Sequence, residues 1–360
     1  MDTNNLETAR AEIDQIDAEV VRLLNDRARL AQRIGTAKNS ASKAIYAPDR
    51  EHEVLANVTA AGADGPLTDR QLTAIYRQVI SACRALERPI RIAYMGPAAS
   101  FTHQAAVERF GDTTEFIPVA SIPDTFAEVQ RGDVDFGVVP VENSTDGPVH
   151  ETLDNFVDAE VKICSEIMLP ISFQLLSKAE SREAIKTVYT NPVALAQCRG
   201  WLAKNLPTAE IMTVVSTSRA AAMAAEDPTT AGIANLLAAK EYGLKVIDAE
   251  IQDLSANYTR FYVIALAAAN RPTGSDKTAI AFSIRDKVGA LRDVADVFAR
   301  RGISMSSIQS RPSRRRVWDY IFFVELRGHA AEPNVRDGLA ELEGQCVFVK
   351  TLGSWPVDDN

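Results

Sequence analysis

Asp135-Phe136-Gly137-Val138-Val139-Pro140-Val141-Glu142-Asn143-Ser144-Thr145-Asp146-Gly147 joins a short apolar run to a loop crowded with polar groups. The apolar run has the character of a buried strand. The loop after it carries a carboxylate, an amide, two hydroxyls, a second carboxylate and a glycine. In open α/β sheets, ligands sit just beyond the carboxyl ends of strands, so this loop stands where a small polar molecule would be held. The same residue types also form ordinary turns, and the stretch alone fits either reading.

Working outward, the same unit recurs. A strand at Ile90–Tyr94 leads through Gly96-Pro97-Ala98-Ala99-Ser100-Phe101-Thr102 into a helix from about His103. A strand at Thr187–Tyr189 leads through Thr190-Asn191-Pro192 into a helix carrying Gln197, and Ile211–Val215 runs into Ser216-Thr217-Ser218 and an Ala-rich helix. A short strand at Gly232–Ala234 precedes a helix ending near Gly243, and Tyr258-Thr259-Arg260-Phe261 enters the strand Tyr262–Leu266. Helix N-termini bind carboxylates through free N–H groups and the helix dipole. Ser, Thr and Asn are also preferred caps; only their recurrence at one kind of strand edge points to an anion cleft. No GxGxxG or P-loop occurs, which disfavours a nucleotide. The spacing predicts two α/β lobes over residues 90–268, the second near 172–247.

The N-terminal stretch is helical. From Leu6 to Lys38 there is no Pro, and Ile13, Ile16, Val20, Leu23, Leu24, Ala31 and Ile34 recur at helical spacing. This predicts one helix on the order of 50 Å long. Its stripe steps through positions 20, 24, 27, 31, 34 and 38, which places Arg27 and Lys38 on the apolar face, with Arg10 extending it backwards. A segment from Pro48 turns Arg50 and Glu51 inward. Thr68-x-x-Gln71 is a capping box that opens a helix ending at Glu87, and Pro89 closes the domain. Cations on a core face are costly unless something negative meets them, so these faces predict a site for a small dianion. Arg10 lies roughly 25 Å along the helix from Arg27, too far to share one ligand, and an antiparallel dimer would bring Arg10 into the partner's site.

At the other end, Asn270–Asp276 has linker composition. Strand 277–284, helix 289–301, strand 304–311, strand 318–327, helix 333–343 and strand 346–351 follow in the order of a ferredoxin-like βαββαβ unit, spanning residues 277–355.

Composition sets bounds. A chain of 360 residues suits two or three domains, and a net charge of −9 argues against nucleic acid as partner. The run Arg314-Arg315-Arg316 is short and suits a solvated turn. Cys83, Cys164, Cys198 and Cys346 show no CxxC, so neither a disulfide framework nor a zinc site is expected, and the four histidines lack metal spacing. With a polar N-terminus and no run long enough to span a membrane, a cytoplasmic protein is expected, with no metal and no cofactor.

The residues carry three family resemblances. Residues 6–89 resemble the all-helical chorismate mutases through Arg10-x-x-Ile13-x-x-Ile16-Asp17, Leu24-x-x-Arg27, Gly35-x-x-Lys38, Asp49-Arg50-Glu51 and Ser81-Ala82-Cys83-Arg84-Ala85-Leu86-Glu87. The resemblance implies an intertwined dimer that rearranges chorismate to prephenate. Arg10 and Arg27 would bind carboxylates, Lys38 the ether oxygen and a carboxylate, and Glu51 the hydroxyl, with Arg50 assisting. Departures are Ala47 where many members have an acid, Cys83 for a common Ser, and Glu87 where some have Gln beside the ether oxygen. A carboxyl donates a hydrogen bond only when protonated, so mutase activity is expected to fall as pH rises and Glu87 ionises.

Residues 90–268 resemble prephenate dehydratase through Gly96-Pro97…Ser100-Phe101-Thr102-His103-Gln104-Ala105-Ala106, Gly137-Val138-Val139-Pro140-Val141-Glu142-Asn143-Ser144, Ala194-Leu195-Ala196-Gln197-Cys198-Arg199 and Asn257-Tyr258-Thr259-Arg260-Phe261. This implies a bilobed, periplasmic-binding-protein-like fold that converts prephenate to phenylpyruvate. Thr259 takes the family's important threonine, orienting the leaving hydroxyl or relaying a proton. Ser100, Thr102, Glu142, Asn143, Ser144, Thr190, Gln197, Arg260 and Phe261 would contact substrate, and Glu142 is the carboxyl nearest in sequence to these groups. Ala98-Ala99 stands where Glu-Gly is common, and Thr190-Asn191 where Ser-His is common. The C-terminal unit resembles the ACT amino-acid-sensing domain through Gly289-Ala290-Leu291 and Gln309-Ser310-Arg311-Pro312, with Gln309 in place of a usual Glu. It implies phenylalanine as an allosteric effector, its feedback weakened by the missing charge. Taken together, the chain is expected to be a bifunctional, homodimeric enzyme of phenylalanine synthesis. Two other readings remain: a sensor that binds prephenate or an amino acid without turnover, and a dehydratase that prefers arogenate.

Overall fold

In the computed structural model, residues 3–40, 47–87, 89–254, 256–267, 271–313 and 320–357 are described, with backbone alone for residues 3–5 and 37–40. The chain divides into two compact units, one of residues 1–90 with 110–115, the other of residues 91–109 with 116–360. Among the described residues, no helix is long and apolar enough to cross a membrane.

The first unit is built from α1 (Thr3–Ser40), α2 (Pro48–Ala61) and α3 (Asp69–Ala85). Helix α3 starts at the predicted capping box: Thr68 Oγ1 accepts from Gln71 N at 3.3 Å, and Gln71 Oε1 accepts from Thr68 N at 2.9 Å. Pro48 opens α2, with Asp49 and Glu51 in the first turn where the helix dipole favours anions. Helices α1 and α2 both pack on α3. The covered side of α1 runs through Arg27, Ala31 and Gly35 rather than Ile34, which is 54% exposed. Gly35 is required there: a Cβ at this position would sit 2.8 Å from Cβ and Cγ of Glu87. Most of the remaining apolar stripe is uncovered within one chain, with Ile13, Ile16, Val20, Leu23 and Leu30 all at least 45% exposed.

The second unit holds three sheets. The first comprises β1 (Arg91–Met95), β2 (Glu115–Val119), β3 (Phe136–Asn143), β4 (Gly147–Pro148), β5 (Lys162–Pro170) and β11 (Tyr258–Ala265), in the order β2-β1-β3-β11-β5 with β4 on β3. Helices α4 (Phe101–Phe110), α5 (Ile122–Arg131) and α6 (His150–Asp158) belong to this lobe. The second sheet comprises β6 (Gln174–Ser177), β7 (Thr187–Thr190), β8 (Glu210–Thr213), β9 (Thr230–Ala234) and β10 (Lys245–Asp248), in the order β10-β6-β9-β7-β8, with α7 (Pro192–Asn205), α8 (Thr217–Ala224) and α9 (Leu236–Tyr242). The chain leaves the first lobe after β5, builds the second, and returns as β11, antiparallel between β3 and β5. Two crossings therefore connect the lobes, as in bilobed periplasmic-binding-protein-like folds.

The third sheet, β13-β14-β12-β15, is formed by β12 (Asp276–Ser283), β13 (Met305–Pro312), β14 (Tyr320–Arg327) and β15 (Phe348–Pro356), with α10 (Ala290–Ala299) and α11 (Pro333–Glu343). This is the ferredoxin-like order expected from the sequence. One face packs on its helices around Phe282, Val294, Phe298, Val324 and Leu339. The other joins the first lobe: Ile321, Phe323, Leu352 and Trp355 share one core with Val139, Phe156, Ile163 and Tyr262. The run Arg314-Arg315-Arg316 lies outside the described residues.

Candidate active sites

In the helical unit, Arg27 and Glu87 are half-buried, Glu51 is buried, and Arg10 and Arg50 are exposed. The Lys38 side chain lies outside the described residues, but its backbone continues α1 one turn beyond Gly35, whose contact is Glu87. Two inward expectations change. Arg50 points outward and pairs with Glu53 at 2.6 Å. Pro48, Asp49 and Glu51 occupy the buried side of α2, and successive helical residues differ by about 100°, so Arg50 cannot share it. Arg10 meets no interior among the described residues of its own chain. Glu51 accepts from Arg84 Nη2 at 2.6 Å, with both side chains under 10% exposed. Arg84 was a bare motif position in the sequence, and it holds the Glu51 carboxylate in place.

The second unit concentrates polar groups where β3 and β11 end side by side. Thr259 is in register with Asn143, although the two are 116 residues apart. Asn143 Nδ2 donates to Thr259 Oγ1 at 2.8 Å and to Asn257 Oδ1 at 3.0 Å. Its Oδ1 accepts from Thr145 Oγ1 at 2.5 Å and from the amides of Thr145 and Asp146 at 2.9 and 3.0 Å. The second lobe joins through α7: Gln197 Oε1 accepts from Asn257 Nδ2 at 2.8 Å, and Gln197 Nε2 reaches Thr145 Oγ1 at 3.4 Å. Ser144 ties the loop to β11, its Oγ accepting from Tyr258 N at 2.9 Å. These bonds fix every atom of the Asn143 amide, so its orientation follows from its partners. Thr259 Oγ1 is consequently an acceptor for Asn143, and its hydrogen meets no acceptor among the described residues. Asn257 links the two lobes, a role its place in the motif Asn257-Tyr258-Thr259-Arg260-Phe261 does not reveal.

Other expected contacts fall elsewhere. Glu142 and Arg260 sit one residue from Asn143 and Thr259, and side chains alternate faces along a strand. Both therefore turn to the opposite face, where Arg260 Nη2 donates to Glu142 Oε2 at 3.0 Å. This corrects their placement against substrate and removes Glu142 as the nearest acid. Phe261 is 1% exposed and belongs to the core, so it too is removed from the substrate contacts. Thr190 is fully buried, its hydroxyl donating to Asn191 O at 3.3 Å, and Thr102 is 4% exposed. Ser100 caps α4, accepting from His103 N and donating to Met95 O, each at 3.2 Å. The capping side chains Asn191, Ser216 and Asn235 likewise bond their own helices.

A second interlobe contact lies at Ala98–Ala99. Ala99 adopts φ +59°, a conformation costly for a residue with a side chain. The Ala98 carbonyl accepts from Ser218 and the Ala99 carbonyl from Asn235 at 3.1 Å. His103 holds this turn: its Nδ1 accepts from Ala99 N at 3.0 Å, and its ring stacks on Tyr94 with centroids 4.5 Å apart. Burial lowers the His103 pKa, with the charge of Glu241 opposing. A neutral imidazole is what accepting from an amide requires.

Burial pushes the thiols of Cys164 and Cys198 up to about 12, which disqualifies them as nucleophiles at neutral pH. Among the described residues, no group of three or more His, Cys, Asp or Glu side chains is arranged for a metal ion. In the C-terminal unit, Gly289 caps α10 at φ +81°, Ala290 is buried and Leu291 is 40% exposed. Ser283, Ile321 and Arg311 lie in one register row, so the end of β12 that leads to Gly289 is at the same end of the sheet as Gln309–Pro312. Ser310 and Pro312 are exposed. Gln309 and Arg311 alternate to the other face, and Arg311 pairs with Asp154 of α6 at 2.9 Å.

Comparison with known proteins follows the same divisions. Residues 9–88 match the model of chorismate mutase type II, residues 92–269 that of prephenate dehydratase, and residues 278–344 that of the ACT domain. The chain is 46% identical to the bifunctional chorismate mutase/prephenate dehydratase of Aquifex aeolicus (strain VF5), over 98% of each chain. It is 38% identical to the same-named protein of Pseudomonas aeruginosa, over 99% of this chain and 98% of that one. Among solved structures, the prephenate dehydratase of Arthrobacter aurescens in complex with L-Phe is 33% identical with a TM-score of 0.69, covering 75% of this chain and 91% of that one.

Proposed function

The chain belongs to the bifunctional chorismate mutase/prephenate dehydratase family, and on that footing we propose how its residues divide two consecutive reactions. The enzyme rearranges chorismate to prephenate in its helical unit. It converts prephenate to phenylpyruvate in its larger unit, under phenylalanine feedback through the ACT sheet. The observation that carries the second assignment is Asn143 at 2.8 Å from Thr259, tied through Asn257 to Gln197 of the other lobe.

The mutase reaction is pericyclic and needs no nucleophile. Confinement of the reactive conformer and stabilisation of the departing ether oxygen suffice. Arg27, Lys38, Glu51 and Glu87 are the residues assigned to that site within one chain. Arg10 serves the partner's site, which accounts for its exposure and for the uncovered stripe of α1. The assembly is therefore a homodimer, or a higher oligomer containing that dimer. Four cysteines without a disulfide among them suit the cytoplasm.

In the dehydratase site, the C–C bond to the ring carboxylate breaks and releases CO2. Its electron pair enters the ring, and the C–O bond to the ring hydroxyl breaks. The hydroxide leaves as water once it receives a proton. Aromatisation drives the step, so the protein supplies orientation and a hydrogen bond to the leaving oxygen. Asn143 occupies one Thr259 lone pair, which leaves the Thr259 hydrogen available to that oxygen. Gln197 and Ser144 bound the substrate, and Gln197 reaches Thr145 across the cleft at 3.4 Å.

The test is chorismate added to purified full-length protein, with prephenate and phenylpyruvate followed by ultraviolet absorbance. Sequential appearance of both is expected; a chain that binds but turns over neither is a sensor. Arogenate offered in place of prephenate measures the alternative substrate directly.

A further inference from the structure

The seam between the first lobe and the C-terminal sheet has an apolar core, is crossed by Arg311–Asp154 and by Lys162 and Lys350 donating to backbone carbonyls, and holds one buried charged cluster. Arg260 Nη1 and the Tyr262 hydroxyl both donate to Glu325 Oε1, each at 2.5 Å. Arg260 Nη2 donates to Glu142 at 3.0 Å, and Arg260 Nη1 lies 3.7 Å from Glu166. Lys277 donates to both oxygens of Glu166 at 2.7 and 3.0 Å and lies 3.9 Å from Glu325. The side chains of Glu166 and Glu325 are 2% and 7% exposed, and those of Arg260 and Lys277 are 12% and 13%.

Such a cluster is a poor way to gain stability. Removing charges from water costs about as much as their attraction returns, and well-packed apolar residues often hold a seam as firmly. The count is also unbalanced: three carboxylates (Glu142, Glu166 and Glu325) face two cations (Arg260 and Lys277), leaving one excess negative charge. Its position is more informative than its strength. Arg260 follows Thr259 directly, and the two side chains leave β11 on opposite faces. A shift of the guanidinium therefore moves the backbone that carries the Thr259 hydroxyl. On the other side of the seam, Glu325 pairs in register with Ser307 of β13, two residues before Gln309. Glu142, Arg260, Glu325, Ser307 and Gln309 line one cavity of about 30 Å³.

We propose that Arg260 and Glu325 are positioning residues, and that through this pair the C-terminal sheet sets where Thr259 stands and conveys the phenylalanine signal to it. The proposal rests on the phenylalanine-feedback reading above. Effector binding at the Gln309–Pro312 end biases β13 and β14. Glu325 moves with β14, and Arg260 carries the displacement into β11.

The test uses the full-length protein and two variants, Glu325→Gln and Tyr262→Phe. Phenylalanine binding is measured calorimetrically, and dehydratase kcat is measured with and without saturating phenylalanine. The expected result for Glu325→Gln is phenylalanine affinity close to that of the parent, with the inhibition ratio reduced roughly 2- to 30-fold, the range by which residues along a coupling route alter it. Tyr262→Phe removes one hydrogen bond, keeps both charges, and is expected to give a smaller reduction of the same sign. Arg260→Lys combined with Glu325→Gln should add little to Glu325→Gln alone, as partners in one link do. Intact binding with an unchanged inhibition ratio in both variants overturns the proposal. If the parent protein takes up no phenylalanine, the feedback reading fails by itself. The pair is then judged on basal turnover, where a lower kcat with unchanged KM in Glu325→Gln supports positioning and an unchanged kcat overturns it. A cooperative thermal melt close to that of the parent, together with Tyr262→Phe, guards against misfolding of the Gln variant.

Discussion

Replacing Thr259 by valine keeps the branched shape and removes a single oxygen, so it separates the chemistry of the hydroxyl from its packing. Two costs follow from the geometry. Asn143 Nδ2 loses the acceptor at 2.8 Å and keeps Asn257 at 3.0 Å. One unsatisfied donor costs about 1–3 kcal/mol, and each kcal/mol lowers Tm by about 2–4 °C in a domain of about 150–250 residues. The second cost is catalytic. A positioned proton donor is worth about 10²- to 10⁴-fold in rate, or about 3–5 kcal/mol at 1.36 kcal/mol per decade. Dehydratase kcat is therefore expected to fall by at least about a hundredfold. Thr259→Ser, which retains the oxygen, should stay within about tenfold, because the positioned hydroxyl remains. The assay follows phenylpyruvate absorbance from added prephenate. Conversion of chorismate to prephenate in the same sample reports folding of the other compact unit. A valine variant with near-normal kcat would refute the assignment, because the hydrogen that Asn143 leaves available would then be one the reaction does not use.

Three further outcomes are expected. If Arg10 serves the partner's site, mixing inactive Arg10→Ala and Arg27→Ala subunits should restore about a quarter of the mutase activity, since half the dimers are mixed and each has one intact site; no recovery would place Arg10 in its own chain's site. Glu87→Gln should retain mutase activity that Glu87→Ala loses, because the amide always offers a donor to the ether oxygen; a fully active alanine variant would remove Glu87 from the chemistry. His103 has its pKa lowered from 6.5 by burial, so the unfolded chain binds protons more readily just below that pH. Its contribution to stability is complete above 6.5 and is lost as pH falls. Urea midpoints should thus decline on acidification, and His103→Gln should flatten that decline; an unchanged slope would dissociate His103 from the Ala99 turn.

Much of the fold is a matter of local periodicity and short motifs. The long helix, the capping box at Thr68-x-x-Gln71, the strand–loop–helix repeats and the βαββαβ order all depend on spacings within a few residues. The stretch ending in Glu142-Asn143-Ser144 was legible as a site loop for the same reason, and Gln197 and Thr259 were legible through motifs. What was not legible depends on pairings between distant segments. Asn257 became a bridge only when β11 returned between β3 and β5 and brought Thr259 beside Asn143. The sequence placed Glu142 and Arg260 with their neighbours in one site, but the pleat sends alternate side chains to opposite faces, and the register decides which face meets the cleft. Arg50 failed similarly, because three consecutive helical residues cannot share one buried side. The C-terminal sheet was predicted as a module beyond a linker; that it shares a core with the first lobe, with a charged cluster inside the seam, is a property of surfaces that only the folded chain brings together. Sequence alone therefore determined the elements and the residue types proposed for the chemistry. Tertiary structure decided the face each residue presents and the partner that orients it, because both depend on strand register and packing between residues more than a hundred positions apart.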